Sequence, residues 1–251
     1  LVPGGTNAGT DPDFGAYNLT VDSFCMDKYE ITNAQWDEVY VWAIANGYSF
    51  DHAGLGKATN HPVHTVSWYD VVKWCNARSE KEGRPGVYTA NGAVYKGGKT
   101  NDVVQTTADG YRLPTEIEWE YAARGGGASR RFPWGDSDTI QHARANYYNN
   151  SSDSYDTSPT WGPHPTYDDG TSPYTSPVGS FEANGYGLHD MAGNVWEWCF
   201  DWSPGSEGRV LRGGSWNLYA YFCRVGCRFY DSPDGAYYYD GFRAVLPSGQ
   251  P

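Results

Sequence analysis

The chain has 251 residues, of which 39% are hydrophobic and 19% charged, a composition that fits one folded domain and excludes intrinsic disorder. Its formal net charge is −12 at pH 7, so nucleic acid and anionic lipid surfaces would repel it and are excluded as partners. No apolar run reaches the roughly 20 residues of a membrane span, and residues 1–5 lack the features of a signal peptide. We therefore expect a single domain over residues 1–251, with any export signal or lipid anchor outside this sequence.

Aromatic side chains are frequent, with 11 Trp, 21 Tyr and 9 Phe beside 31 Gly and 15 Pro. This composition indicates many loops held by large, rigid side chains, and such loops often carry function. The odd number of cysteines leaves at least one free thiol, and their spacing is not that of zinc ligands. They are Cys25, Cys75, Cys199, Cys223 and Cys227.

Capping signals predict three helices, because a Ser or Thr oxygen and an acid or amide three residues later satisfy free N–H groups of a first turn. The first helix begins after Thr32 and ends near Asn46. The second begins after Ser67 and stops by Gly83, and a short third begins after Thr115. The acidic residues of the third helix are assigned to capping and the helix dipole rather than to catalysis.

The remaining segments predict short strands and loops. Residues 87–88 and 93–95 read as a hairpin around Asn91-Gly92, and residues 146–177 read as a long polar loop. Three further segments read as core strands, namely residues 195–198, 209–212 and 241–246. The predicted class is α+β with an antiparallel sheet, a few helices and long loops.

A family resemblance enters at residues 110–126, which read Gly-Tyr-Arg-Leu-Pro-Thr-Glu-Ile-Glu-Trp-Glu-Tyr-Ala-Ala-Arg-Gly-Gly. This string resembles the formylglycine-generating-enzyme, or sulfatase-modifying-factor, family. Shorter motifs agree with it at residues 2–5, 29–33, 133–135, 193–198, 212–216 and 241–243. The resemblance covers essentially the whole chain and implies a C-type lectin-like fold.

The chain departs from the oxidases of that family at the reactive cysteines. Those enzymes carry a redox pair after the Gly-Gly-Ser-aromatic motif, and counting from Trp216 the two positions hold Leu218 and Cys223. A Leu side chain cannot be a nucleophile or a metal ligand, and Cys227 lies at a different spacing. We therefore predict that the protein is not an enzyme. An oxidase with altered cysteines remains the first alternative, and a calcium-dependent carbohydrate-binding lectin the second.

Residues 217–240 mix Tyr, Phe, Asp and Ser with a regular framework, and contain no Lys, Gln, Glu, Met or Trp. Those five are the residues that an Asn codon cannot become when its first two adenines are randomised and its pyrimidine third base is kept. The pattern resembles the variable proteins of diversity-generating retroelements, the treponemal ones above all. That resemblance implies a display protein at the bacterial cell surface, or exported, that binds variable protein ligands.

We predict that twelve residues of this segment bind the ligand, and we call them the predicted ligand face. They are Leu218, Tyr219, Tyr221, Phe222, Phe229, Tyr230, Asp231, Ser232, Tyr237, Tyr238, Tyr239 and Asp240. Tyr offers a large contact area for little rotamer entropy, and Cys227, Gly235 and Ala236 are weaker candidates. The alternative is a buried end of the core, which the three consecutive tyrosines oppose because neighbouring residues cannot all face inward.

The enzyme resemblance also implies calcium, in a purely structural role and not as a required cofactor. The first matching set is Asp190, Gly193, Val195 and Glu197, and the second is Asn146, Tyr147, Asp169 and Thr171. The alternative is that Asp190 and Glu197 accept hydrogen bonds from Arg or backbone N–H groups without a metal.

Two other features are assigned ordinary roles. His61 and His64 have a metal-like interval, but Pro62 between them opposes a helix, so we expect loop histidines. No phosphate-binding loop precedes a predicted helix. The sequence specifies neither the identity of the ligand nor the oligomeric state.

Overall fold

The computed structural model describes residues 1–150 and 152–249. Its helices are α1 (Asn33–Ala45), α2 (Trp68–Lys81) and α3 (Glu116–Ala123), and a 3-10 turn spans Ala220–Cys223. The strands are β1 (Gly5–Asp11), β2 (Gly15–Val21), β3 (Phe24–Met26), β4 (Tyr88–Ala90), β5 (Ala93–Val94), β6 (Val104–Gln105), β7 (Trp196–Trp202), β8 (Arg209–Arg212), β9 (Phe229–Asp231), β10 (Asp240–Gly241) and β11 (Val245–Pro247). Within the two described ranges, no helix is long and apolar enough to cross a membrane.

All three predicted helices are confirmed, and each begins with a reciprocal capping box. Thr32 Oγ1 accepts the Gln35 N–H at 3.2 Å, and the Gln35 side chain accepts the Thr32 N–H at 3.0 Å. The same pair of bonds recurs at Ser67 and at Thr115. Local hydrogen bonds therefore decide where each helix begins.

The main sheet has the strand order β10-β7-β8-β9. β10 runs parallel to β7, and every other pairing of these named strands is antiparallel. Smaller sheets pair β1 with β2, β3 with β11, and β4 with β5 and β6. The predicted α+β class is confirmed, and the predicted strands 195–198 and 209–212 correspond to β7 and β8.

The predicted hairpin around Asn91-Gly92 is confirmed as β4 and β5. Asn91 has φ 51° and Gly92 has φ 77°. Two positive φ values in a two-residue loop are the signature of a type I′ turn, whose twist matches that of the flanking strands.

The prediction of one strand over residues 241–246 is wrong, because the segment divides into β10 and β11, which pair with different strands. Between them, the Phe242 ring lies edge-on to tryptophans of α1 and α2. The next side chain, Arg243, enters a buried ion pair. Both side chains are fully buried, so the chain leaves the sheet to place them.

The β1–β2 hairpin has no counterpart among the predicted elements. Asn7 donates from its side chain to the Gly127 carbonyl at 2.9 Å, and buried Asp11 pairs with Arg124 at 3.0 Å. Leu19 is the buried hydrophobic residue of the two strands. Polar contacts with the end of α3 hold this hairpin. Its strands therefore lack the alternation of apolar and polar residues from which a strand is predicted.

The core lies between the helices and the main sheet. The rings of Trp36 and Trp74 are stacked with centroids 5.8 Å apart, which joins α1 to α2, and Trp196 of β7 belongs to the same buried cluster. A smaller cluster contains Tyr147 and Cys223 and lies beneath the start of the segment 217–240. All five cysteines are free thiols, in agreement with the expectation of at least one.

The predicted long loop over residues 146–177 is confirmed in its described part, and buried hydrogen bonds organise it. The Tyr147 hydroxyl donates to Asp156 Oδ1 at 2.6 Å. His164 Nε2 lies 2.7 Å from the His142 carbonyl oxygen. The loop is therefore held by its own polar side chains.

The buried pair of Glu197 and Arg243 predicts a large loss of stability when one charge is removed. The guanidinium donates to both carboxylate oxygens at 2.7 Å, away from solvent. Arg243→Met leaves a buried carboxylate without its cation, so we expect the free energy of unfolding in urea to fall by about 3 to 5 kcal/mol. The double variant Glu197→Gln, Arg243→Met is expected to recover part of this loss. Equal losses in the two variants would contradict the assignment.

Candidate ligand-binding face

Six aromatic side chains from residues 217–240 are between 39% and 51% exposed. We call them the exposed aromatic face, and they are Tyr219, Tyr221, Phe229, Tyr230, Tyr237 and Tyr238. They come from the 3-10 turn with its preceding residue, from β9, and from the loop before β10. Exposed aromatics of this number in one short segment are typical of a recognition surface.

One half of the face rests on the ring of Trp196. Phe229 stacks on this ring with centroids 5.5 Å apart, and Phe222 meets it edge-on at 6.1 Å. Tyr230 stacks on Phe229, and Tyr221 meets Phe222 edge-on. Because Trp196 is fully buried in β7, these rings are supported by the core.

The other half is a cluster of tyrosines before β10. The rings of Tyr237 and Tyr239 are nearly parallel with centroids 5.3 Å apart, and Tyr238 contacts Trp216 at 5.7 Å. The backbone is held as well, since the Trp196 N–H donates to the Tyr239 carbonyl at 2.7 Å and the Thr65 N–H to the Tyr237 carbonyl at 2.9 Å. That first bond links the two halves.

The structure distributes the predicted ligand face over three levels of burial. The six aromatics of the exposed face and Ser232 are exposed, and Asp231 is half-buried. Leu218, Phe222 and Tyr239 are half-buried and pack against the main core. The weaker candidates Gly235 and Ala236 are half-buried, whereas Cys227 is buried. Tyr237, Tyr238 and Tyr239 do not all face inward, as expected.

The prediction that Asp240 belongs to the exposed surface is wrong. Its Cα pairs with that of Trp196 in the parallel β10–β7 ladder, which turns the carboxyl inward. Neither carboxylate oxygen has a hydrogen-bond partner among the described residues. Burial, with a further contribution from the Asp231 charge, raises the pKa of Asp240 well above its ordinary value.

Three aromatic residues of the long loop were not predicted, and two of them contact the face or the tryptophan that supports it. The Tyr148 ring lies 5.9 Å from that of Tyr219, and the Tyr148 N–H donates to the Leu218 carbonyl at 3.0 Å. Tyr174 lies 5.2 Å from Trp216. Trp161 is 73% exposed. These residues could have been predicted from the sequence, because they are large aromatic side chains in an otherwise polar stretch.

Both thiols near the face, Cys223 and Cys227, are buried. Cys223 is fully buried, and burial raises the pKa of its thiol. The position of the first reactive cysteine holds Leu218, whose side chain packs against the core. Cys227 is buried too, and burial again raises its pKa. A reactive thiolate needs exposure and a lowered pKa.

The first calcium set contains a buried oxygen without a partner. Glu197 is paired with Arg243, and it also accepts the Trp119 Nε1–H at 2.7 Å. Asp190 accepts the Gly179 N–H at Oδ2, whereas its Oδ1 has no partner among the described residues. Hydrogen bonds without a metal therefore account for both oxygens of Glu197. They account for only one of the two oxygens of Asp190.

The unpartnered Asp190 Oδ1 is the oxygen of this set that a calcium ion would satisfy. Glu30, Asp190 and Glu197 are buried near a single guanidinium, and burial raises the pKa of Asp190 to about 6. No three His, Cys, Asp or Glu side chains of the described ranges converge as metal ligands. An ion here would be held by Asp190 with the carbonyls of Gly193 and Val195, and it would share Glu197 with Arg243, which already donates to both oxygens of that carboxylate.

The second set does not fit calcium, because a lysine already occupies the place of the cation. Lys57 Nζ donates to Asp169 Oδ1 at 2.8 Å and to the Thr171 carbonyl at 3.0 Å. Asn146 is buried and donates to the Tyr174 carbonyl at 2.8 Å. A divalent ion would have to displace the ammonium group.

His61 and His64 have ordinary loop contacts, as expected. His61 Nδ1 lies 2.9 Å from Thr175 Oγ1, and His64 Nδ1 lies 2.9 Å from Thr65 Oγ1. Burial lowers the pKa of His64 to about 4, so it is neutral at pH 7.

The fold and the face define a C-type lectin-like domain that presents rigidly supported aromatic side chains at one end of its main sheet. The chain belongs to the family described as the sulfatase-modifying factor enzyme 1-like domain, whose model matches residues 1–247. Both resemblances found in the sequence, to this family and to the treponemal variable proteins, are confirmed by the relatives and structures below.

Relatives of both active and inactive type match most of the chain. It is 31% identical over 292 residues to the formylglycine-generating enzyme of Thermomonospora curvata, covering 97% of this chain and 91% of that protein. It is 33% identical over 279 residues to the inactive C-alpha-formylglycine-generating enzyme 2 of Mus musculus, covering 98% and 83%. It is 34% identical over 229 residues to the chaperone protein LppX of Paenibacillus barcinonensis, covering 86% and 77%.

Two solved structures are similar over nearly the whole chain. Treponema denticola variable protein 1 matches with a TM-score of 0.74 at 25% identity, covering 98% of this chain and 93% of that one. CarF matches with a TM-score of 0.74 at 25% identity, covering 99% and 100%.

Calcium is expected to raise the melting temperature at pH 7.5 above that measured in EDTA, since it would balance the buried charge at Asp190. Asp190→Asn is expected to abolish this increment. Asp169→Asn is the matched control and is expected to keep it, because Lys57 occupies the second set. The absence of a calcium increment in the wild type would contradict the first set, and its loss in Asp169→Asn would contradict the exclusion of the second.

Asp240 predicts a pH-dependent stability. Because its pKa is raised in the folded state, the native protein holds a proton that the unfolded chain releases, so this contribution is complete at low pH and is lost as pH rises through the raised pKa. Asp240→Asn removes the cost of burying an ionised carboxylate. We therefore expect it to raise the melting temperature at pH 8 by about 2 to 4 °C for each kcal/mol of that cost. No gain is expected at pH 4, where the buried carboxyl is protonated in the native protein. Calorimetry at both pH values measures this difference. An equal change in melting temperature at pH 4 and pH 8 would contradict the explanation.

Proposed function

We propose that this protein is a non-enzymatic ligand-binding display protein, and that the exposed aromatic face recognises protein ligands. The observation that carries the proposal is the exposure of six aromatic side chains on supports that belong to the core. Exposed Tyr and Phe rings are the anchors that protein interfaces use most, because they bury much area while losing little rotamer freedom.

The division of the segment into fixed and exposed residues supports a diversified surface. Trp196 and Trp216, which support the rings, lie outside residues 217–240, and the bonds to Thr65 and Trp196 use backbone atoms. Side chains of the exposed face can therefore change without loss of the framework. The similarity to Treponema denticola variable protein 1 agrees with such a role.

The oxidase alternative is weakened by the thiols. Leu218 replaces one reactive position, and Cys223 is buried with a raised thiol pKa. The lectin alternative is weakened by the place of the calcium set, since Asp190 is buried and an ion held there would present no open position to a sugar. We further propose a cell-surface or exported location, where a protein ligand would meet the face.

Binding of peptides selected from a random-peptide phage library is expected to depend on the exposed aromatic face. Peptides selected on the wild-type protein should lose at least tenfold in affinity for the Tyr237→Ala, Tyr238→Ala variant, since each truncated anchor costs about 1 to 2 kcal/mol. Isothermal titration calorimetry on one selected peptide measures the change. Retention of full affinity by this variant would refute the proposal.

The matched control truncates two exposed side chains on α1, Val41→Ala and Ile44→Ala, which should leave affinity unchanged. Both variants are expected to keep the wild-type melting temperature within a few degrees, because exposed positions contribute little to stability. Incubation of the copper-loaded protein with a sulfatase-derived cysteine peptide is expected to yield no aldehyde by mass spectrometry. Turnover there would return the oxidase alternative to first place.

A further inference from the structure

A groove of about 460 Å³ opens beside the exposed aromatic face. Tyr230, Asp231 and Ser232 form one wall and belong to the predicted ligand face. The other wall contains Tyr69 of α2 and Glu207 from the loop between β7 and β8. A side chain of a ligand bound to the face would reach this groove without leaving the surface.

The groove carries excess negative charge. Three of its lining residues, Glu207, Asp231 and Asp234, have carboxylates, and its lining in the described chain includes no Lys, Arg or His. Lys99 pairs with Asp234 at 3.1 Å from outside the lining, which leaves two carboxylates without that counter-charge. The whole chain has a net charge of −12, so long-range attraction also favours a cation here.

The groove residue Asp231 also interacts with a buried acid that has no counter-charge within the described ranges, Asp240. Asp240 is fully buried, both of its oxygens lack a partner among the described residues, and Asp231 is the carboxylate whose charge raises its pKa further. The Asp231 charge therefore acts both in the groove and on an uncompensated buried acid. A cation placed beside Asp231 would stabilise the ionised forms of both.

The exposed Tyr230 ring suits a planar cation, and the buried Tyr69 presents its edge to the same groove. The Tyr69 hydroxyl donates to Asn101 Oδ1 at 2.6 Å, which fixes one ring, and Tyr230 stacks on Phe229, which fixes another. A guanidinium stacks on aromatic faces and can bind a carboxylate with two parallel hydrogen bonds, whereas an ammonium group is a compact point charge.

We propose that this groove binds an arginine side chain of the protein ligand, with Glu207, Asp231 and Asp234 as its carboxylate partners and the exposed Tyr230 ring as its aromatic wall. The proposal rests on the proposed function and adds the chemistry of the partner, a basic protein surface. Glu207, Asp234 and Tyr69 lie outside the predicted ligand face, so this part of the groove would stay constant while Tyr230 and Asp231 vary with the surface.

The test uses random-peptide phage selected on the full chain. Peptides selected on the wild type are expected to be enriched in Arg relative to the unselected library. For one such peptide, replacing its Arg by citrulline, or testing the groove variant Glu207→Gln, Asp234→Asn, is expected to weaken binding about tenfold, and the two changes together should weaken it little further. The matched control Asp22→Asn neutralises an exposed acid of a different groove and should leave affinity unchanged.

The outcomes separate this inference from the proposed function. If selected peptides lose binding in the Tyr237→Ala, Tyr238→Ala variant but show no Arg enrichment, the groove assignment is overturned and the aromatic face stands. If they are indifferent to both variants, the proposed function fails as well. Lysine-containing peptides that bind as tightly as their arginine counterparts would overturn the preference for a planar cation. Unchanged melting temperatures of the isosteric variants verify that the fold is intact.

Discussion

The end of the main sheet that carries the exposed aromatic face depends on one buried ion pair, Glu197 with Arg243. The same carboxylate accepts the indole N–H of Trp119 from α3, and the guanidinium also donates to the His189 carbonyl at 2.9 Å. Four distant segments therefore meet at two side chains. Buried charges are stable only when all their hydrogen bonds are made, so this meeting point has little freedom to move. Trp196, the neighbour of Glu197, is fixed with it and supports the rings of the face.

A fixed support changes the energetics of recognition. Aromatic side chains that already touch one another and a core tryptophan lose little further freedom when a ligand covers them. The tyrosine cluster before β10 is held in the same way, by two backbone hydrogen bonds and by contact with Trp216. Variation of the exposed rings then alters which ligand fits, while the loss of freedom on binding stays small. This is the physical basis on which a single scaffold can serve many ligands.

The elements that were predictable from the sequence are those that local chemistry determines. They include the capping boxes at Thr32, Ser67 and Thr115 and the Asn91-Gly92 turn. These features depend on residues that are close together in the sequence, so the sequence alone predicts them. The β1–β2 hairpin was missed because its contacts to α3 are polar and distant in sequence. The inward turn of Asp240 was missed for a similar reason, since it follows from a parallel pairing with β7 across more than 40 residues. Exposure of the tyrosines, by contrast, followed from their being consecutive.

Under the proposed function, the position of Leu218 shows why a diversified surface and the oxidase chemistry of the family would exclude each other in this segment. The backbone at this position is anchored, because the Leu218 carbonyl accepts the Tyr148 N–H, and its side chain fills half-buried space that other apolar groups could fill. Nothing in that arrangement requires a particular side chain. An oxidase needs a cysteine at this same position in every copy of the protein. A segment that tolerates substitution through its backbone contacts thus keeps the fold, and gives up the fixed thiol on which that chemistry depends.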